Sequence, residues 1–332
     1  MKVSVDGDAN ELDSFVACVT AIAGAWGDPS GYDRTAGLSG IAFSPAWNRT
    51  DAAHFAIDGG ADRRISFLGA ALGFSVETLY LAQPGETSLR GRSEAGRAFD
   101  AHSEFVAAVT EQVERGSAVI LRTWPVWSVM THASPRAEDW GLATLPGFEE
   151  LTRALGGPER ARLAYALKPR KASLSPREAL AQAIRFGAFV ARDQQSLPSD
   201  SCLAGSEGVA FGGLCYEACT ERLREQAFCR SCPDDPATCL HRVLRLLHRS
   251  QRSGEVFVAM ATSALRGEPS EPFMCRARAC YSELCALTQP YLRLDAWKAL
   301  WRARSFRMQL AEDFAEMCRL QAAAAHELMH VL

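Results

Sequence analysis

Apolar residues recur every three to four positions from residue 11 to residue 26 (ELDSFVACVTAIAGAW), which predicts an amphipathic helix over Glu11–Trp26. Asp13 or Ser14 is placed to cap it and Gly27 to stop it. Tyr32–Leu38 reads as a short helix, and Asp62–Leu72 as another ended by Gly73. Ile41–Trp47 and Ser75–Leu81 read as strands, the second followed by a Gln83-Pro84-Gly85 turn. Glu94–Arg115 reads as one long helix ending at Gly116. Ala118–Thr123, Val126–His132 and Arg162–Lys168 are β-rich runs. From Ser175 onward strand signals nearly vanish. Ser175–Asp193, Gly208–Gln226, Pro236–Ser250, Val256–Arg266 and Phe273–Leu332 all fit a 3.6-residue period, with breaks at Pro198, Pro233, Pro236, Gly254, Pro269, Pro272 and Pro290. The pattern predicts an α+β half followed by an all-helical half. The boundary falls where Pro169 and Ser175-Pro176 interrupt the chain, giving domains 1–172 and 173–332.

Composition narrows the function classes. With 332 residues, 48% apolar and 23% charged, the chain is globular and long enough for two cores. The net charge of −3 supplies no basic field for nucleic acid or an anionic membrane. Four of the 36 basic residues are Lys and the rest are Arg, a skew of GC-rich genomes rather than of a function. No cationic segment leads into an apolar one near Met1, and no apolar run approaches the ~20 residues of a membrane span. The expectation is a soluble, cytoplasmic protein. In a reducing compartment, eleven Cys point to metal or redox chemistry before structural disulfides.

Cys18 lies in the first predicted helix, where a thiol near the N-terminus would feel the positive end of the macrodipole. His132 lies 114 residues later at the end of a predicted strand, with Asp139 or Glu138 available to orient it. A helix-borne Cys, a strand-borne His and a carboxylate match the logic of cysteine hydrolases. The competing reading makes Cys18 a small buried hydrophobe.

Several stretches carry a family resemblance: Cys18 with Gly27; Gly37-Leu38-Ser39-Gly40-Ile41-Ala42-Phe43 with Trp47; Leu72-Gly73; Val106–Gly116 running into Ser117-Ala118-Val119-Ile120; Val126–His132; Leu163–Pro169; and Phe211–Glu217. In these the chain resembles the papain-like domain of the butirosin-biosynthesis acyltransferase type, which is followed by a helical domain. The resemblance implies an acyl group held on Cys18 as a thioester and passed to an amine or water, with His132 as base and then acid. It implies no required cofactor, and a small-molecule or carrier-protein-bound acyl substrate. The chain departs from the family pattern in three places. No Gln closely precedes Cys18, the Ser117-Ala118-Val119 turn lacks Pro, and His132 runs on into Ala133-Ser134-Pro135.

Three further groups stand out. Cys215, Cys219, Cys229, Cys232 and Cys239 fall within 25 residues, with His241 just beyond. Cys215 and Cys219 share a helix face, and Cys229 and Cys232 form a C-x-x-C, a spacing that suits a structural Zn or a redox disulfide. Cys275, Cys280 and Cys285 recur every five residues, so they do not share one helix face. His326-Glu327-Leu328-Met329-His330 matches the H-E-x-x-H metallopeptidase pattern, but Ala322–Ala325 before it reads as ordinary helix. Arg242, Arg245, Arg249 and Arg252 line one face of a predicted helix, able to meet an acidic partner or simply solvated.

The sequence therefore reads as an α+β papain-like domain followed by a helical one. Its expected function is cysteine-dependent acyl transfer or amide/thioester hydrolysis in specialised metabolism, through Cys18, His132 and Asp139. The alternative is an inactive papain-like scaffold acting as a metal-binding or redox-sensing module through the Cys215–Cys239 cluster.

Overall fold

The first helix begins where its cap dictates. Asp13 adopts an extended backbone, and its Oδ1 accepts the Val16 N–H at 2.8 Å, so α1 runs Ser14–Ala25. The structure is a computed structural model and describes residues 3–6, 12–29, 31–43, 46–48, 64–82, 96–123, 126–146, 160–192, 209–225, 236–293 and 297–331. The chain divides into two compact units, residues 1–35 with 62–174, and residues 36–61 with 175–332.

The first unit is built on a six-stranded mixed sheet in the order β3-β2-β7-β4-β5-β6. Its strands are β2 (Phe74–Leu81), β3 (Gly96–Phe99), β4 (Ala118–Thr123), β5 (Val126–His132), β6 (Gly141–Ala143) and β7 (Leu163–Pro169). β2 and β3 are parallel, and the other pairs are antiparallel. Alternation along the strands sorts residues onto two faces. Leu79, Val119, Leu121, Met130, Ala164 and Ala166 pack with Phe105, Val106 and Val109 of helix α4 (His102–Glu114). On the other face, Trp127 and Tyr165 stack on each other and meet Phe15 of α1 edge-on. Helix α2 is Gly31–Ser39, and helix α3 (Ile65–Leu72) is closed by Gly73 at φ 86°, whose N–H reaches Gly69 O.

The second unit holds α5 (Pro176–Arg192), α6 (Gly213–Glu225), α7 (Pro236–Ala264), α8 (Glu271–Leu292), α9 (Trp297–Trp301) and α10 (Arg304–Met329). It also takes in a stretch that the sequence pattern assigns to the first half. Phe43 is fully buried between the rings of Phe257 and Tyr281, and its carbonyl accepts from Gln321 Nε2 at 2.8 Å. Strand β1 (Ala46–Asn48) pairs antiparallel with β8 (Val209–Phe211). A polar chain crosses this core: Gln251 Nε2 donates to Tyr216 Oη at 3.2 Å, and Thr288 Oγ1 donates to Gln251 Oε1 at 2.9 Å. His248 Nδ1 lies 2.8 Å from Thr288 Oγ1. Thr288 Oγ1 also lies 3.2 Å from both Leu284 O and Cys285 O, carbonyls of its own helix.

The α+β class holds, but several elements differ from expectation. Glu94–Arg115 is not one helix, because Gly96–Phe99 pairs with β2 as an edge strand. Ile41–Trp47 is a turn followed by β1, and a strand, β8, precedes α6 inside the expected Gly208–Gln226 helix. α7 passes straight through Gly254, where a Cβ would lie 2.8 Å from the Tyr281 ring and 3.1 Å from Ala42 O. A close approach, not a helix break, accounts for that glycine. Phe273–Leu332 is three helices rather than one. Among the described residues, no helix is long and apolar enough to cross a membrane.

Candidate functional site

The N-terminal end of α1 meets the start of β5, and the residues that meet there are Ser14 and Trp127. Ser14 is the first residue of α1, fully buried, and its Oγ accepts the Trp127 N–H at 3.0 Å. The Arg122 guanidinium lies 5.7 Å from the centre of a Trp127 ring. A helix start offers unpaired N–H groups and the positive end of the dipole, the usual ground for a nucleophile and its oxyanion. Here the Val16 and Ala17 N–H groups are already taken by Asp13, through Oδ1 and the backbone carbonyl.

Cys18 sits one turn further in, directly after Ser14 in the i, i+4 sense, and is fully buried. It shares the face of α1 that Phe15 turns to the sheet. At the fifth helical position its own N–H belongs to the helical ladder, and the dipole has largely faded. The end-of-helix position expected for Cys18 thus belongs to Ser14.

His132 ends β5 and is exposed. Simple alternation would put it with Ser128 and Met130 on the α4 face. A bulge changes this: Met130 opposes Leu142, but His132 opposes Gly141, leaving Thr131 as the extra residue. Leu142 packs with Met130 against the α4-side cluster, so its neighbour Gly141 faces the other way, and so does His132. A Cβ on Gly141 would come within 2.8 Å of Thr131 Oγ1 and 3.1 Å of His132 Cβ. The bulge therefore turns His132 to the face that α1 covers. Along the strand, however, His132 is five residues past Trp127, roughly 16 Å at the usual rise.

Asp139 is exposed in the short 3-10 turn Ala137–Asp139. Glu138 is paired with Arg136 at 3.6 Å. Among the described residues no hydrogen bond joins His132 to Cys18 or to Asp139. The three expected catalytic residues lie in one unit, and two lie on one sheet face, but no hydrogen-bonded triad is formed. Ser14 was visible in the sequence only as a possible cap, and nothing there signalled its contact with Trp127.

In the second unit, Cys215 and Cys219 share the buried side of α6. Burial pushes the Cys219 thiol well above its ordinary range, and its hydrogen bond with Cys215 adds to the shift. Burial also pushes Cys318 up to about 11; its Sγ lies 3.6 Å from Gly213 O and 3.8 Å from Glu217 Oε1. Cys229, Cys232 and the side chain of Cys239 lie outside the described residues. Among the described residues no group of three or more His, Cys, Asp or Glu side chains is placed to hold a metal ion. The ring of His241 is engaged elsewhere, 3.3 Å from Leu292 O.

Compared with models of known protein families and with curated protein sequences, the chain gives no match.

Proposed function

We propose that the first unit is a papain-like scaffold without a working cysteine site, and that the chain acts as a binding or redox-sensing module through its cysteine-rich helical unit. The observation that supports an inactive first unit is the contact between Ser14 and Trp127. A cysteine hydrolase on this scaffold needs a thiol at the start of α1 and an imidazole facing it from β5. Ser14 stands at the start of α1, and its hydroxyl is tied to the strand backbone by the Trp127 N–H of β5. Cys18 is enclosed one turn away, and His132 stands at the far end of the strand.

The test uses the native, untagged chain. Brief iodoacetamide at neutral pH and then peptide mapping leaves Cys18 unmodified, and hydrolysis of simple acyl thioesters is the same in wild type and Cys18→Ala. Mass spectrometry of the native and denatured chain then reads metal bound by the Cys215–Cys239 segment. Rapid alkylation of Cys18, with thioester turnover lost in Cys18→Ala, overturns the proposal.

That outcome is the second reading, acyl transfer through Cys18 with His132 as base. One observation favours it: the Thr131 bulge brings His132 to the sheet face that carries α1.

A further inference from the structure

We propose that His326 and His330 form a two-imidazole site for a divalent transition-metal ion at the C-terminal end of α10. The two residues are one helical turn apart and both are exposed, with ring centres 4.9 Å apart at 81°. The His330 ring is stacked on Phe273 of α8 at 4.9 Å and 27°, a contact that holds the ring by its face and spends neither nitrogen. A metal bound to two imidazoles at about 2.0–2.1 Å draws their nitrogens to roughly 3 Å apart. Exposed rings at i, i+4 reach that separation by side-chain rotation alone. The site also lies on the last turn of a 26-residue helix, whose negative end favours a cation.

Glu327 settles which chemistry the motif can serve. It turns away from the histidines toward α8, where Arg276 Nε donates to its Oε2 at 2.9 Å and Nη2 lies 2.9 Å from the same oxygen. In a metallopeptidase this carboxylate is the general base on a metal-bound water. Held by a guanidinium, it is unfit for that role, and it offsets the charge of Arg276. Two neutral imidazoles and solvent suit Zn(II), Ni(II) or Cu(II), and are poor ligands for Mg(II) or Ca(II). The remaining coordination positions are left to water, so the ion is exchangeable rather than structural. The site stands whether or not the first unit is catalytic.

The experiment titrates NiCl2 into the full untagged chain by calorimetry, and tracks the melting temperature with and without Ni(II). Wild type is compared with His326→Ala, His330→Ala and Glu327→Gln. Because thiols elsewhere take up nickel as well, the site is read as the difference between wild type and variants. The expected result is one binding event and an upward melting shift that wild type shows over and above either histidine variant, both kept in Glu327→Gln. Nickel uptake and melting shift in the two histidine variants equal to those of wild type, or no uptake by wild type, overturn the proposal.

Discussion

The Trp127 backbone N–H donates to Ser14 Oγ at 3.0 Å across 113 residues of sequence, binding the start of α1 to the start of β5 in a fully buried place. Ser14→Ala removes the acceptor and leaves a buried donor. The expected loss is about 1–3 kcal/mol of folding stability, read by urea unfolding. Thioester hydrolysis is unchanged by the same substitution.

Thr288 is completely buried and gives its proton to Gln251, which in turn reaches Tyr216. Thr288→Val keeps the shape and removes the hydroxyl, taking from Gln251 Oε1 its buried donor. We expect a loss of about 1–3 kcal/mol, read by urea unfolding. Pairing it with Gln251→Leu costs less than the sum of the two single changes, because both act on one chain of bonds.

Gly254→Ala separates a close approach from a helix break at that glycine. Alanine is the better helix former, so an exposed position would gain stability. Here the added methyl meets the Tyr281 ring at 2.8 Å, and the expected net effect is a loss of about 1–3 kcal/mol. A gain in melting temperature rejects this account.

Alkaline pH weakens the fold. Burial raises Cys285 to about 12 and Cys318 to about 11, and pushes Cys219 well above the ordinary thiol range. The folded state holds these protons after the unfolded chain has released them. Their contribution is complete below the ordinary thiol range near pH 9, and is lost as pH rises through the folded values. The urea midpoint is therefore level from pH 7 to about 8.5 and falls above it.

How far the sequence reaches depends on how local each feature is. Asp13 as cap, Gly73 and Gly116 as stops, and strands β4, β5 and β7 are set by residues within a few positions of one another. β3 escapes because Gly96–Phe99 is four residues of weak alternation, and what makes it a strand is its pairing with β2. β1 and β8 escape because each is three residues long and its partner is more than 160 residues away. The candidate site is legible as a set of residue types but not as an arrangement. The order Asp13, Ser14, Cys18 does not say which of them begins the helix, and a bulge at Thr131 leaves no mark on composition.

Phe43 finds its hydrogen-bond partner 278 residues downstream, in Gln321. At roughly 5–20 residues per second of synthesis, that partner leaves the ribosome about 14–55 s after Phe43 does. Until α5, α7 and α8 are made, Leu38, Ala42 and Phe43, each fully or almost fully enclosed in the finished protein, are a nascent apolar surface without their packing partners. The first unit's sheet is already complete in the emerging chain once Pro169 is made. The early segment of the helical unit is thus made long before the helices it packs with, and it has to be kept from premature association until they follow.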